Sequence, residues 1–325
     1  MAERTHIDAA RLEKDEHYAA DVAIIGSGAG GGVAAEILAR AGLQVVLIEE
    51  GGYWTAQDFT GREGDAYRTL YWDAASRKTK DKAINLLQGR AVGGSTVVNW
   101  TASFRTPQKT LSHWAEMFGV TKTSAEDMTP WFERTERRFS VAPWEPPPNE
   151  NNAVLARGCE RLGWPHGIIP RNVRGCWNIG YCGFGCPTNA KQSMLVTTIP
   201  AALDRGAILI SHARAHTIET DHGRAVNVQC LAIDSESFRP TGRKIRVHAT
   251  HIIVAGGGIN GPGLLLRSNL PDPHQRLGKR TFLHPVTALA GEMPEKVKPF
   301  EGAPQSVYSD AFLWRDGVTG QAGYK

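Results

Sequence analysis

The chain has 325 residues, of which 41% are hydrophobic and 22% are charged, and its formal net charge is +4. This composition is typical of a globular protein of about two domains, and the small, dispersed charge argues against nucleic acid or an anionic membrane as a partner. No long apolar run predicts a transmembrane segment, and the polar N-terminus predicts no secretory signal. We therefore expect a cytoplasmic protein, with export alongside a partner subunit left open.

Residues 1–18 predict a helical or irregular lead-in, and residues 21–49 predict a strand, a glycine-rich turn, a helix, a second strand and an acidic residue. This order is typical of a dinucleotide-binding unit. The spacing G-x-G-x-x-G permits a tight turn, a close approach of backbone to a pyrophosphate and close packing of helix on strand. The candidate phosphate-binding residues are Gly26, Gly28, Ala29, Gly30 and Gly31.

Glu49 ends the second predicted strand, where a carboxylate accepts hydrogen bonds from an adenosine ribose. The predicted strands are Val22 to Ile25 and Val45 to Ile48, and Gly42 is the predicted helix C-cap. The motif alone leaves NAD, NADP and FAD open as ligands. Glu49 disfavours the 2′-phosphate of NADP, which would prefer a nearby arginine.

The segment 53–88 has no clear period and predicts loop and short helix. Ser124 with Asp127 predicts a capping box, and Trp131 and Phe132 on the same helix are predicted to be buried. The remaining predicted elements are helices over residues 124–139, 152–162 and 193–204, strands over 207–211, 225–233, 244–248 and 252–258, a helix ending at 268, and a strand-rich part after 285.

Residues 89–99, GRAVGGSTVVN, form a second glycine-rich segment. Its adjacent glycines, two hydroxyls and asparagine make a turn suited to a flat polar ring, although an unliganded turn is an alternative. Together with the first unit and residues 255–268, this segment resembles the glucose-methanol-choline (GMC) family of FAD-dependent oxidoreductases. The matching residues are Gly26, Gly28, Gly31, Glu49, Gly89, Arg90, Gly93, Gly94, Ser95, Thr96 and Asn99. The chain departs from the family pattern at Gly261, where Ser or Thr is usual, and at Asn269, where glycine is common.

The resemblance implies an α/β fold, with a Rossmann-like FAD-binding domain of parallel sheet and antiparallel meander and an incomplete substrate domain. The predicted segments are 1–120, the first FAD-binding part; 121–192, an inserted substrate-side segment with the cysteines; 193–285, the second FAD-binding part; and 286–325, the start of a truncated substrate domain.

The resemblance also implies where FAD binds. Its ADP half would lie on the first glycine turn and Glu49, and its flavin ring against residues 93–99. The further cofactor-binding candidates are Arg90, Gly93, Gly94, Ser95, Asn99 and Ala215. Some family members tether the flavin through a histidine just before the asparagine; here that position is Val98, so we expect non-covalent FAD.

Cys176, Cys182 and Cys186 have the spacing C-x5-C-x3-C within a glycine-rich loop. Three thiolates suit a soft metal or an iron–sulfur cluster, and the spacing is similar to that of bacterial flavin-dependent glucose dehydrogenases that hold a [3Fe-4S] cluster. The alternatives are three reduced cysteines packed in the loop, a disulfide between two of them, or a zinc site. Zinc would need a fourth ligand, and His166 is the nearest histidine.

The resemblance implies oxidation of an alcohol, with hydride passing to flavin N5 and electrons to an acceptor other than NAD. The cysteine cluster favours a dehydrogenase with a cytochrome or quinone as acceptor over an oxidase that uses oxygen. The family's catalytic histidine lies in the C-terminal half of the full-length protein, so catalytic residues are expected beyond residue 325 and none is assigned. Two alternatives are an NAD-dependent dehydrogenase, which would lack the second glycine segment, and a non-catalytic FAD or electron-transfer fragment or subunit.

Overall fold

The computed structural model describes residues 5–284 and 286–314. The strands, in chain order, are β1 Thr5–Asp8, β2 Glu16–Ile25, β3 Val45–Ile48, β4 Val141–Pro143, β5 Gly167–Ile168, β6 Pro170–Asn172, β7 Ile208–Ser211, β8 Ala213–Asp221, β9 Arg224–Ile233, β10 Pro240–Val254 and β11 Val307–Tyr308. The α-helices are α1 Ala29–Arg40, α2 Glu63–Leu70, α3 Gln108–Phe118, α4 Ala125–Phe139, α5 Glu150–Leu162, α6 Thr198–Leu203 and α7 Gly257–Arg267.

The described residues form two compact units. The first is drawn from Met1–Val98, Gly183–Pro187 and Ser193–Ala288, and the second from Asn99–Cys182, Thr188–Gln192 and Leu289–Lys325. The four predicted segments, with boundaries at residues 120, 192 and 285, stay a prediction.

A seven-stranded sheet in the order β1-β7-β3-β2-β10-β9-β8 is the centre of the first unit. Neighbours from β1 to β10 pair in parallel, whereas β10, β9 and β8 form an antiparallel meander. The predicted α/β fold class is therefore confirmed. β2 ends in four consecutive buried residues, Val22 to Ile25, and β3 is buried throughout, because strands at the middle of a parallel sheet are covered on both faces.

The first glycine turn folds as predicted. α1 begins directly after Gly28, and Gly42 lies just past the helix end with a φ of 87°, a left-handed conformation that glycine adopts at little cost. β2 and β3 are in register from Val22 opposite Val45 to Ile25 opposite Ile48. The loops that follow them therefore begin at the same edge of the sheet.

The prediction of a helical or irregular lead-in is confirmed for residues 9–15, a 3₁₀ turn followed by a loop, and is wrong for residues 5–8 and 16–18, which are strand. Residues 5–8 form β1, a parallel edge strand paired with β7, and β2 begins at Glu16. The contacts that fix β1 lie about two hundred residues away: His6 Nε2 is 2.8 Å from Ser211 Oγ, and Asp8 Oδ1 is 2.7 Å from His212 Nδ1. Such non-local partners leave no periodic signal in the local sequence.

The second unit holds α3, α4 and α5 and two small sheets, β4 with β6 and β5 with β11. The predicted capping box of Ser124 and Asp127 is confirmed at the start of α4, which ends at Phe139 as expected. Predicted burial of Trp131 was wrong, since this side chain is 59% exposed and Arg134 lies over its ring. Phe132 is half-buried.

Two later predictions were also inaccurate. The helix predicted over 193–204 is limited to α6, because residues 194–197 form a turn. The part after residue 285 is not strand-rich in the described residues, where β11 is its one strand; Pro285 and residues 315–325 lie outside that description. No helix of the described residues is both long enough and apolar enough to cross a membrane.

Candidate functional site

A cavity of about 870 Å³ lies in the first unit at the carboxyl ends of the parallel strands. Ile25, Ile48 and Val254, which end β2, β3 and β10, line it. This edge of an open parallel sheet is where ligands of α/β proteins bind, because the loops leading to the helices diverge there. Eight of the predicted cofactor-binding residues line the cavity: Gly26, Gly28, Ala29, Gly30, Glu49, Gly94, Ser95 and Ala215.

The two glycine segments touch through their backbones. A Cβ added at Gly94 would lie 2.8 Å from the Cα of Gly28, so Gly94 has no room for a side chain, whereas a Cβ at Gly28 would lie 3.9 Å from the Cα of Gly94. Gly26 has a φ of 98°, and a Cβ there would lie 2.5 Å from the carbonyl oxygen of Ala255. Gly26 and Gly94 therefore let the ends of β2 and β10 and the second glycine segment meet around one cavity.

Two helices point their N-termini into this cavity without a side-chain cap. Gly28 is the N-cap of α1 and Gly256 is the N-cap of α7, and both residues line the cavity. The first N–H groups of a helix have no intrahelical acceptor, and the helix dipole makes this end partly positive. An anion such as a pyrophosphate would satisfy these groups.

Glu49 is buried at the wall of the cavity, with 7% of its surface exposed. Its Oε2 accepts hydrogen bonds from the Ser27 backbone N–H at 3.0 Å and the Ser27 hydroxyl at 2.6 Å, and its Oε1 accepts one from the Gly51 N–H at 2.9 Å. Burial raises the pKa of Glu49, and these hydrogen bonds offset part of that shift. A carboxylate has about four acceptor positions, and these three hydrogen bonds occupy most of them.

Four predicted residues do not line the cavity. Gly31 packs against the Gly26 carbonyl, and Gly93 holds the second turn with a φ of 99°. The guanidinium of Arg90 is buried 3.4 Å over the ring of Phe238. Asn99 belongs to the second unit, where its carbonyl accepts a hydrogen bond from Lys191 Nζ. Direct cofactor contact by these four residues stays a prediction.

Sequence reasoning missed several charged and polar residues that line the cavity: Glu50, Trp72, Arg77, Gln88, Arg214 and Asn260. Arg214 donates from Nε to Glu50 Oε1 at 2.8 Å. Burial raises the pKa of Glu50, and the Arg214 charge offsets part of the effect. Trp72, Arg77 and Gln88 come from the segment 53–88, which has no clear period or motif, so no local signal marked them. The other three lie beside or within the motifs, but their side chains are not part of the pattern.

The three clustered cysteines do not form a metal-ligand set. Among the described residues, which include all three, no group of three or more His, Cys, Asp or Glu side chains is placed to hold a metal ion. The Cys182 sulfur accepts a hydrogen bond from Arg171 Nη2 at 3.3 Å, and the Cys176 sulfur accepts one from the Asn178 N–H at 3.4 Å. The structure therefore gives no support for the iron–sulfur ligands or for a zinc site, and both stay predictions.

All five cysteines are free thiols, including the buried Cys159 and Cys230. We expect the chain, denatured without reductant, to react with five equivalents of a thiol reagent such as dithionitrobenzoate. Wild-type protein treated with reductant and desalted is the control. Three equivalents before reduction and five after it would reveal a disulfide and contradict the structure.

The family model for GMC oxidoreductases matches residues 47–286. An uncharacterized GMC-type oxidoreductase of Mycobacterium tuberculosis is 38% identical over 305 residues, covering 92% of this chain and 47% of the relative. A long-chain-alcohol oxidase of Arabidopsis thaliana is 33% identical over 303 residues, covering 91% of this chain and 40% of the relative. The chain thus spans less than half the length of these relatives.

A solved structure of formate oxidase from Aspergillus oryzae has a similar fold. Its TM-score is 0.55 at 14% sequence identity, and the match covers 80% of this chain and 48% of the other. At this low identity the likeness concerns the fold alone. It agrees with the mostly parallel sheet described above.

Proposed function

This chain belongs to the GMC oxidoreductase family, a family of FAD-binding enzymes, and we propose that the cavity of its first unit is the FAD site. The convergence of both glycine segments on one cavity carries this proposal. An NAD-dependent dehydrogenase needs only the first segment, whereas here a Cβ at Gly94 would meet the Gly28 backbone at 2.8 Å. The second segment is thus built into the wall of the same site.

The residues present fit FAD at its adenosine and phosphate parts. The uncapped N-termini after Gly28 and Gly256 would bind the pyrophosphate oxygens. Glu49 would accept a hydrogen bond from the ribose, and the backbone of Ala215 would contact the adenine. Ser95, in the same cavity, holds the second turn by accepting a hydrogen bond from the Gly89 N–H.

We propose that the reaction is oxidation of an alcohol at its CH–OH carbon. FAD, when bound, supplies the redox chemistry by accepting hydride at its N5 atom. The part of this chain is to bind and orient the cofactor, and no described residue is assigned as the catalytic base. The long-chain-alcohol oxidase at 33% identity makes long-chain primary alcohols the first substrates to assay.

The electron acceptor is a separate question. A cytochrome or quinone acceptor and a [3Fe-4S] cluster were predicted together from the cysteine segment, and no electron-transfer step is assigned to those cysteines. Electron paramagnetic resonance of the purified protein tests the cluster directly. A flavin spectrum without a cluster signal would fit our proposal. The cytoplasmic location stays a prediction.

We expect the purified chain to be yellow, with a flavin absorption band, and to lose its colour to the supernatant on trichloroacetic acid precipitation. Val98 stands where a tethering histidine occurs in some family members, and a valine side chain offers no nucleophile for a flavin bond. The absorption spectra of supernatant and pellet measure this, with free FAD added to albumin as the control. Yellow colour in the washed pellet would contradict non-covalent binding, and a chain that stays colourless after incubation with FAD would contradict the proposed function.

If the chain is instead a non-catalytic FAD or electron-transfer subunit, it would be yellow without being bleached by any alcohol. Anaerobic mixing with a long-chain primary alcohol tests for alcohol oxidation; because no described residue is assigned as the catalytic base, an unbleached flavin band does not by itself establish the subunit role. Bleaching of the flavin band supports alcohol oxidation by this protein.

A further inference from the structure

The N-terminal strand β1 is tied to the rest of the first unit by two side-chain contacts. His6 Nε2 lies 2.8 Å from Ser211 Oγ, and Asp8 Oδ1 lies 2.7 Å from His212 Nδ1. Ser211 is the last residue of β7, whereas His212 is the one residue between β7 and β8. Both contacts therefore hold the same strand, but only the second acts on the turn between β7 and β8.

His212 has a strained backbone at this turn. Its φ is 50°, a left-handed conformation that is unfavourable for a residue with a Cβ and persists where surrounding contacts impose it. The residue is buried, with 4% of its surface exposed, and its Nε2 has no hydrogen-bond partner among the described residues. A carboxylate only accepts hydrogen bonds, so the Nδ1–H of His212 donates to Asp8, and this bond orients the ring.

The backbone of the same turn continues into the wall of the cofactor cavity. The His212 N–H donates to the Gly51 carbonyl at 3.1 Å, and the Ala213 N–H donates to the Glu49 carbonyl at 2.9 Å. Ala213, Ala215 and Glu49 all line the cavity. Because one peptide unit joins His212 to Ala213, a shift of the histidine would displace the start of β8 and its bond to the Glu49 loop.

We propose that Asp8 is a positioning residue for the adenosine half of FAD, an inference that rests on the proposed function. Through His212, its carboxylate holds the strained turn in the conformation that presents the backbone of residues 213–215 to the adenine and Glu49 to the ribose. Asp8 is not among the described residues that line the cavity, so it acts through the turn and not by touching FAD. The contact between His6 and Ser211 holds β1 without taking part in FAD binding.

Two substitutions of Asp8 separate its contact with His212 from its other contacts. Asp8 Oδ1 also accepts a hydrogen bond from the Ala10 N–H at 3.1 Å, which caps the 3₁₀ turn after β1. Serine keeps such a cap but is too short to reach His212, whereas asparagine keeps an acceptor for both. Both lose the ion pair with the exposed Arg11, so that pair cannot account for a difference between them.

We expect Asp8→Ser to raise the dissociation constant of FAD about tenfold, the effect of losing a hydrogen bond to a charged group, and Asp8→Asn to stay within about twofold of wild type. Ultrafiltration measures FAD and, separately, ADP, which carries the adenosine half without the flavin. Asp8→Ser should weaken ADP binding by the same factor as FAD binding.

Ser211→Ala is the matched control, because it removes the other side-chain contact between β1 and β7. Urea denaturation without FAD should show a lower free energy of unfolding for this variant, while its affinity for FAD stays within about twofold of wild type. A merely structural role of Asp8 predicts the same behaviour for Asp8→Ser, so equal affinity losses in the two variants, or none in either, would overturn the proposal.

Two other results would also overturn the positioning role and leave the FAD site intact. One is a loss in Asp8→Asn as large as in Asp8→Ser, and the other is a loss for FAD without a loss for ADP. Failure of the wild-type chain to bind FAD overturns the proposed function as well. Circular dichroism checks folding; if Asp8→Ser does not fold, His212→Phe decides, since it keeps a ring, removes the donor and should give the same tenfold loss.

Discussion

Replacing Gly31 with alanine is expected to destabilise the first unit by about 4 kcal/mol or more and to abolish FAD binding. The added Cβ would lie 1.8 Å from the Gly26 carbonyl oxygen and 3.3 Å from the Ala255 Cβ. A backbone oxygen cannot turn away as a flexible side chain can. Helix α1 would have to move off β2, and this movement would open the contact between Gly28 and Gly94 that shapes the cavity.

The neighbouring glycine provides a matched control. A Cβ at Gly30 has no heavy atom within 4 Å, so Gly30→Ala should be neutral or should stabilise α1 by up to about 1 kcal/mol through the better helix propensity of alanine. Urea denaturation of both variants without FAD measures the difference, and ultrafiltration with FAD measures binding by Gly31→Ala. Equal free energies of unfolding for the two variants would show that the helix and strand tolerate a methyl group between them.

The contrast between these glycines shows which parts of the fold the sequence predicts. The close packing of Gly31 on the Gly26 carbonyl and the capping box of Ser124 and Asp127 depend on groups within a few residues of one another, and the structure has them as predicted. Fold class and family followed from such local patterns combined in chain order. Their success reflects steric rules that act on the backbone regardless of the rest of the chain.

Contacts between distant segments account for what the sequence did not predict. Strand β1 depends on β7, and a hydrogen bond from Arg77 to Asn260 joins segments that have no common motif. The spacing of the cysteines predicted a common ligand, but spacing constrains only the loop and not the direction of each sulfur; Arg171 is instead the partner of Cys182. The charged residues Glu50, Arg77 and Arg214, which also line the cavity, were missed for the same reason.

Replacing Glu49 is the second substitution with a large expected effect on stability and FAD binding, because this one buried carboxylate serves both the fold and the proposed ribose contact. Glu49→Ala would leave three buried donors, the Ser27 N–H and hydroxyl and the Gly51 N–H, without this acceptor. At about 1–3 kcal/mol for each unsatisfied group, less the relief of no longer burying a charge, we expect a loss of about 3 kcal/mol in the free energy of unfolding. The dissociation constant of FAD should rise at least about tenfold.

The stability contribution of Glu49 should change with pH in a defined direction, which the loss of hydrogen bonds alone would not produce. Because burial raises the pKa of Glu49 above its ordinary value of 4.5, the folded chain binds this proton more tightly than the unfolded chain. The Glu49 contribution to stability is therefore most favourable below pH 4.5 and declines as the pH rises from there through the raised pKa of the folded state.

Glu49→Gln removes this titration, so its destabilisation relative to wild type should shrink across that interval. Glu50→Gln should show the same sign, since burial raises the pKa of Glu50 as well, although the Arg214 charge offsets part of that shift. Urea denaturation without FAD at a series of pH values measures the differences. A Glu49→Gln deficit that grows with pH would mean that the carboxylate is stabilised, not strained, by its surroundings, and that the cavity is more polar at this point than its burial indicates.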